Sequence, residues 1–291
     1  LLTLTGPPGV GKTTLALAVA ARLEAHCKDG ARFVPLAAVT DPELVATVIA
    51  NELELADTGK QAPQKRLIQG LRHKDLLLVL DNFEQILAAA PLLATLLAEC
   101  HRLQLLVTSR ERLHLRAEQR YQVPPLDLDF AVELFVQRAQ AVVPLFEPTL
   151  AATTAIQAIC RRLDCLPLAI ELLAARIDLF SAQTMLTHLQ ARGLDLLTDG
   201  AQDAPAHQHT LRQAIHYSYA LLAERERSLF RTLGVFVGGF DLAAVVHFGF
   251  DAEDLQRLLN KSLVQVAARP LTRPAAEMEP RFRLLEMVRE Y

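Results

Sequence analysis

The sequence predicts an α/β fold with a parallel, doubly wound sheet, followed by a helical bundle and then by helices with a trailing hairpin. Three observations carry this. Across residues 1–126 short apolar runs alternate with helical patterns, as strand–helix units do. From Asp127 onward helical periodicity continues with no strand signal between. Near the end, two short strand-like runs flank a stretch containing three prolines, Arg269–Pro280.

Leu1–Thr5 reads as a strand, and Lys12 to His26, rich in Ala and Leu, as a helix. Arg32–Leu36 alternates like a strand. Asp41-Pro42 has the form of a helix N-cap with Pro in the first turn, opening a helix to Leu53. Gln64–Leu71 is helical. Leu76–Leu80 is continuously apolar, as in a strand buried on both faces. Pro91–Cys100 is helical, Leu105–Thr108 a strand, and Tyr121–Val123 another, ended by Pro124-Pro125. The bundle follows as helices over 128–142, 150–163, 166–178 and 182–191. Thr198–Gln208 is polar and turn-rich and reads as a linker. Beyond it the periodicity predicts helices at 210–222, 224–233, 241–247 and 252–260, then strands Leu263–Ala267 and Arg281–Leu285 around a wing. That last arrangement is the winged-helix pattern. The expected domains are therefore 1–126, 127–200 and 201–291.

Composition narrows the function classes. With 51% hydrophobic and 22% charged residues in 291, the chain is globular, not disordered. Mean hydropathy is +0.20, yet no apolar run approaches the roughly 18 residues of a membrane helix. The net charge of −3 argues against a strong electrostatic footprint for nucleic acid or anionic membrane. Residues 201–291, with 11 basic and 11 acidic side chains, are balanced too. Four cysteines are too few for a disulfide scaffold and fit a reducing cytoplasm. The chain opens on Leu1 in an apolar strand, without a signal peptide, and so reads as a piece of a larger protein with flanking domains.

The strongest signal is Gly6-Pro7-Pro8-Gly9-Val10-Gly11-Lys12-Thr13, which satisfies G-x4-G-K-[ST] after a strand and at the opening of a helix. Glycines let the backbone curl, so that the N–H groups of Pro8–Thr13 other than proline's point at phosphate oxygens. The helix N-terminus adds positive partial charge. Lys12 is placed to reach the β- and γ-phosphates, the Thr13 hydroxyl to ligate Mg²⁺, and Thr14 to meet the α-phosphate side. Leu76–Leu80 then delivers Asp81 to the C-terminal end of a strand, where open α/β sheets bind ligands, and Asp81 is the second candidate for Mg²⁺. The next strand ends in Thr108-Ser109-Arg110, which puts Arg110 within reach of a γ-phosphate. His207-x-His209 has metal-ligand residues but no second pair, and reads as a polar loop.

In order, the motifs are GPPGVGKTT (6–14), LLLVLDNFEQ (76–85), LLVTSRERL (105–113), CLPLAIELLAAR (165–176), LFRTLGVFVGGFDLAAV (229–245) and RFRLLEMVREY (281–291). Together they resemble the signal-transduction ATPases with numerous domains, in the NB-ARC (AP-ATPase) branch. The bacterial flavour is that of LuxR-like and antibiotic-regulatory-protein-like transcription regulators. The resemblance implies an ATP/ADP site with Mg²⁺, and a helical and a winged-helix domain that close over the nucleotide. It implies a switch in which ADP holds a closed state and ATP permits opening and homo-oligomerisation, with sensor and effector domains outside this chain. It also assigns Pro167 to the adenine pocket and makes the winged helix a clamp rather than a DNA reader.

The sequence departs from the resemblance at three places. Cys165 stands where relatives have Gly. Asn82 stands where many have a second acid, and an amide takes no proton as a general base; Glu84 is the nearby carboxylate left for that role. Slow hydrolysis with intact binding is the expectation. Leu285 replaces the His that touches the ADP β-phosphate. Two other functions compete: a turnover ATPase of the AAA+ kind, with Arg112 or Arg116 as intersubunit finger, and a DNA-binding winged-helix regulator.

Overall fold

The five strands of the first unit are short; Leu77–Asp81 and Gln104–Thr108 are largely apolar and buried, as in a sheet covered on both faces, whereas the edge strand Gln119–Gln122 is polar and exposed. The computed structural model describes residues 1–56, 61–192, 211–267 and 280–291. They form two compact units, Leu1–Gly6 with Lys12–Val123, and Pro7–Gly11 with Pro124–Tyr291.

In the first unit β1 (Leu2–Thr5), β2 (Ala31–Pro35), β3 (Leu77–Asp81), β4 (Gln104–Thr108) and β5 (Gln119–Gln122) make one sheet in the order β2-β3-β4-β1-β5. Every pairing is parallel. All five residues of β3 are buried. Successive side chains alternate across a strand. Leu76, Leu78 and Leu80 join one apolar cluster with α2 (Val45–Glu52), α3 (Pro63–Leu71) and α4 (Ala90–Glu99). Leu77 and Val79 take the other face, where α1 (Lys12–Leu23) lies with Ala16 and Ala20 buried. The continuous apolar run of β3 is thereby explained: both its faces are interior.

Asp41 does cap, accepting from the Glu43 N–H at 2.9 Å, but the first turn it opens, Pro42–Leu44, is 3-10. A seven-residue 3-10 stretch, Phe83–Ala89, has no counterpart in the predicted elements. It is broken at Ile86 and held by side-chain bonds: Gln85 Nε2 donates to the carbonyls of Leu36, Ala37 and Val39 at 2.6–3.0 Å. Such anchoring leaves no periodic trace.

In the second unit the helices are α5 (Leu128–Val142), α6 (Leu150–Arg162), α7 (Pro167–Ala174), α8 (Ala182–Arg192), α9 (Leu211–Ala220), α10 (Glu224–Leu233), α11 (Leu242–His247) and α12 (Ala252–Asn260). The helix expected over 166–178 ends at Ala174. A two-stranded antiparallel ladder, β6 (Gln265–Val266) with β7 (Phe282–Arg283), is shorter than the predicted runs, and Phe240 bridges to Phe282 beside it. A short helix, α13 (Glu286–Glu290), follows. The expected linker Thr198–Gln208, His207 and His209, and the expected wing Arg269–Pro280 except Pro280 itself, lie outside the described residues. Among the described residues no helix is long and apolar enough to cross a membrane.

Candidate functional site

Where β1 ends, the backbone turns through Gly9 and Gly11 at φ +77° and +92°, a region in which a side chain is strained. The Val10 N–H donates to the Pro7 carbonyl at 3.4 Å. Pro8 and Val10 are buried, which fixes the loop from outside. Within the second unit, to which this loop belongs, the Leu168 N–H donates to the Gly9 carbonyl at 3.2 Å. A Cβ at Gly11 would lie 3.9 Å from Pro167 Cγ. Pro167 is the first residue of α7, so the start of that helix meets the loop.

Lys12 opens α1, and its ammonium donates to the Gly6 carbonyl at 2.8 Å. Removal from water pushes its pKa down to about 8; Glu84 and Asp81 pull it up and Arg110 pushes it further down. The Thr13 hydroxyl donates to Asp81 Oδ1 at 2.8 Å. The Thr108 hydroxyl donates to the same oxygen at 2.5 Å and accepts from the Asn82 N–H at 3.0 Å. Burial drives the Asp81 carboxyl above its usual range, and the two hydroxyls pull it back. Thr14 is exposed on α1.

Thr108 was not singled out from the sequence, although it ends a strand. The parallel pairing of Leu80 with Val107 sets Thr108 beside Asp81, so the end of a neighbouring strand was the available signal. Arg110 and Glu84 meet in a buried ion pair, Nε to Oε1 at 2.9 Å, with side chains 7% and 2% exposed. Asn82 lies in left-handed backbone at φ +62°. Arg112 and Arg116 are exposed.

The donor set suits Mg²⁺. Two hard oxygens, of Thr13 and Asp81, stand 2.8 Å apart. Adjacent ligands of an octahedral Mg²⁺ at about 2.1 Å stand about 3 Å apart. Lys12 supplies positive charge near the same carboxylate.

A second polar cluster lies wholly in the second unit. Asp164 and Cys165 both have left-handed φ, +51° and +52°. This is the conformation that favours glycine, the residue that the resemblance implies in place of Cys165. Asp164 Oδ2 accepts from the Met287 N–H at 3.2 Å, and Arg162 pairs with Glu286 at 2.8 Å. Asp164 thus caps α13 from a distant turn. Leu285 is buried, 1% exposed. Burial raises the Asp164 carboxyl to about 6, against the N–H bonds of Met287 and Glu286. Its folded pKa exceeds its ordinary value, so ionisation opposes folding and stability falls as pH rises from about 4 to about 6. Asp164→Asn keeps an acceptor without the charge. Its melting temperature should exceed that of the parent at pH 7.5, and the gap should shrink by pH 5, read by calorimetry.

Residues 1–116 match the family described as the AAA domain. A protein of Mycobacterium tuberculosis named an HTH-type transcriptional regulator is 41% identical across the whole of this chain. The chain spans 33% of that relative's length. An uncharacterized protein of the same organism is 39% identical over 88% of this chain and 65% of its own length. Among solved structures, the ORC2 protein of Aeropyrum pernix superposes over 98% of this chain and 84% of its own, with a TM-score of 0.57 and 14% identity. That likeness concerns fold alone. Residues 1–116 are thus a P-loop ATPase domain of the AAA type, built on a parallel sheet with its phosphate loop.

Proposed function

We propose that this chain is the nucleotide-binding switch module of a larger transcription regulator, of the signal-transduction ATPase type with an NB-ARC-like plan. The observation that carries it is the convergence of Lys12, Thr13, Asp81 and Thr108 at the C-terminal ends of β1, β3 and β4. In this reading Pro8–Thr14 cradle ATP or ADP, Lys12 and Arg110 meet the terminal phosphates, and Pro167 borders the adenine. Thr13 and Asp81 hold Mg²⁺, which offsets phosphate charge when bound.

Three domains, 1–126, 127–200 and 201–291, are part of the proposal. The unit boundary after Val123 supports the first division; residues 124–291, where the helices follow, make one unit. The last domain acts as clamp, with ADP holding a closed form and ATP favouring an open, self-associating one. Such a switch works only if the two nucleotides differ in affinity for the two forms. The 41% identity to a named transcriptional regulator supports the wider setting, with sensor and effector parts elsewhere in the protein. Four free cysteines suit a cytoplasmic site.

The test is direct. The chain is purified without added nucleotide, denatured, and the released nucleotide identified by ion-pair chromatography. About one equivalent of ADP is expected. A chain that releases none, and takes up neither ADP nor ATP on soaking, overturns the reading. A turnover ATPase is the second reading, favoured by the exposed Arg112 and Arg116; activity that rises with protein concentration would mark it.

A further inference from the structure

Asn82 offers no base beside Asp81, and Glu84 is the next carboxylate along the chain. Its surroundings fit another task. Glu84 Oε1 is held by Arg110 Nε at 2.9 Å, and both side chains are buried. Glu84 Oε2 is also buried and makes no hydrogen bond. A carboxylate already short of a donor holds its cation the more tightly. Withdrawing Arg110 would leave an uncompensated interior charge, which is strongly destabilising. The backbone around Glu84 is fixed as well. Phe83 and Ile86 are fully buried, and Gln85 Nε2 is tied to the Leu36, Ala37 and Val39 carbonyls. Arg110 follows by two residues Thr108, whose hydroxyl shares Asp81 Oδ1 with that of Thr13, the neighbour of Lys12. The pair is therefore a buried mount that holds one guanidinium at the strand ends where the phosphate loop lies.

We propose that Glu84 is a positioning residue: through its ion pair it fixes Arg110 at the phosphate end, and so sets the preference of the site for a nucleoside triphosphate over a diphosphate. It takes no proton from water. This rests on the nucleotide-binding reading above and names what in that site distinguishes its two ligands. A diphosphate ends at Lys12 and the loop. A triphosphate adds a terminal group whose oxygens a fixed guanidinium recognises through charge-assisted hydrogen bonds.

The experiment is calorimetric titration with ADP and with a non-hydrolysable ATP analogue, on the parent chain, Glu84→Gln, Arg110→Gln and the double variant. Each single substitution should weaken the triphosphate by about tenfold or more while ADP changes little. The double variant should be no worse than either single, because both break the same pair. If Glu84→Gln binds the triphosphate as tightly as the parent but stops hydrolysis, Glu84 is the base and the proposal falls. Additive losses overturn it too. If either single variant does not fold, the double variant replaces the buried charges by two amides, and its ratio of triphosphate to diphosphate affinity decides. A ratio like the parent's overturns the proposal, and one reduced about tenfold supports it. If the parent binds neither nucleotide, or Lys12→Ala binds both as the parent does, the nucleotide reading itself has failed, and that result is distinct from all of these.

Discussion

Lys12→Ala is expected to remove nucleotide binding almost entirely, by about 100-fold or more for both ADP and ATP. The ammonium stands at the opening of α1, where it donates to the Gly6 carbonyl. Charge-assisted hydrogen bonds are worth roughly 1.5–3 kcal/mol each, and the lysine is placed to make more than one. Titration calorimetry on the variant measures the loss; unchanged affinity would refute the assignment of the loop. The same residue imposes a pH dependence. Its pKa is lowered to about 8, so the free site loses its charge as pH rises through that value. A phosphate binds the protonated form. Affinity should therefore fall by about tenfold between pH 7.5 and pH 9, with uptake of one proton on binding at the higher pH. Titration in buffers of different ionisation heat reads that proton. In Lys12→Ala the slope should vanish along with the binding.

The second large effect concerns Asp81. Asp81→Asn keeps an oxygen that accepts from Thr13 and Thr108, so the fold is retained. It also removes a buried carboxylate whose pKa is driven up by desolvation, so the melting temperature should stay level or rise. What it loses is the charge that attracts a divalent cation. In the parent, ATP should bind more tightly with Mg²⁺ than with a chelator. In Asp81→Asn that difference should shrink to near unity. An undiminished Mg²⁺ effect would mean that another acid holds the cation. The variant also separates metal binding from folding, because thermal stability and Mg²⁺ dependence are expected to move independently.

Both predictions use residues that can be picked from the sequence. A phosphate loop is a local pattern: glycines where φ is positive, then lysine and a hydroxyl at the first helical turn. Asp81 is legible because an apolar strand with both faces buried must end at a polar residue. Several helices are legible to the residue: α5, α10 and α12 begin and end where periodicity places them. Thr108 is different. Its importance comes from the hydroxyl that it lends to Asp81 across 27 residues, and nothing within its own strand records that bond. Glu84 is different again. As a sequence feature it is a carboxylate near Asn82 and invites the role of base. In the fold it is the buried partner of Arg110.

The capping of α13 follows the same rule. Five residues are too few for a periodic signal, and the acceptor for the Met287 N–H is Asp164, 123 residues earlier. Cys165 is a mixed case. The expectation of glycine at that position came from resemblance, and the left-handed φ of +52° supplies its physical reason.

The sequence by itself determined the strand–helix alternation, the phosphate loop, the acid at the end of β3 and most helix limits. Each follows from the local chemistry of a few consecutive residues. The tertiary structure alone decided that β4 lies between β1 and β3, that Thr108 and Thr13 share one oxygen of Asp81, and that Arg110 is paired with Glu84. Those facts depend on which distant segments pack together. Packing is chosen by burial summed over the whole unit, and no short window of sequence contains that sum.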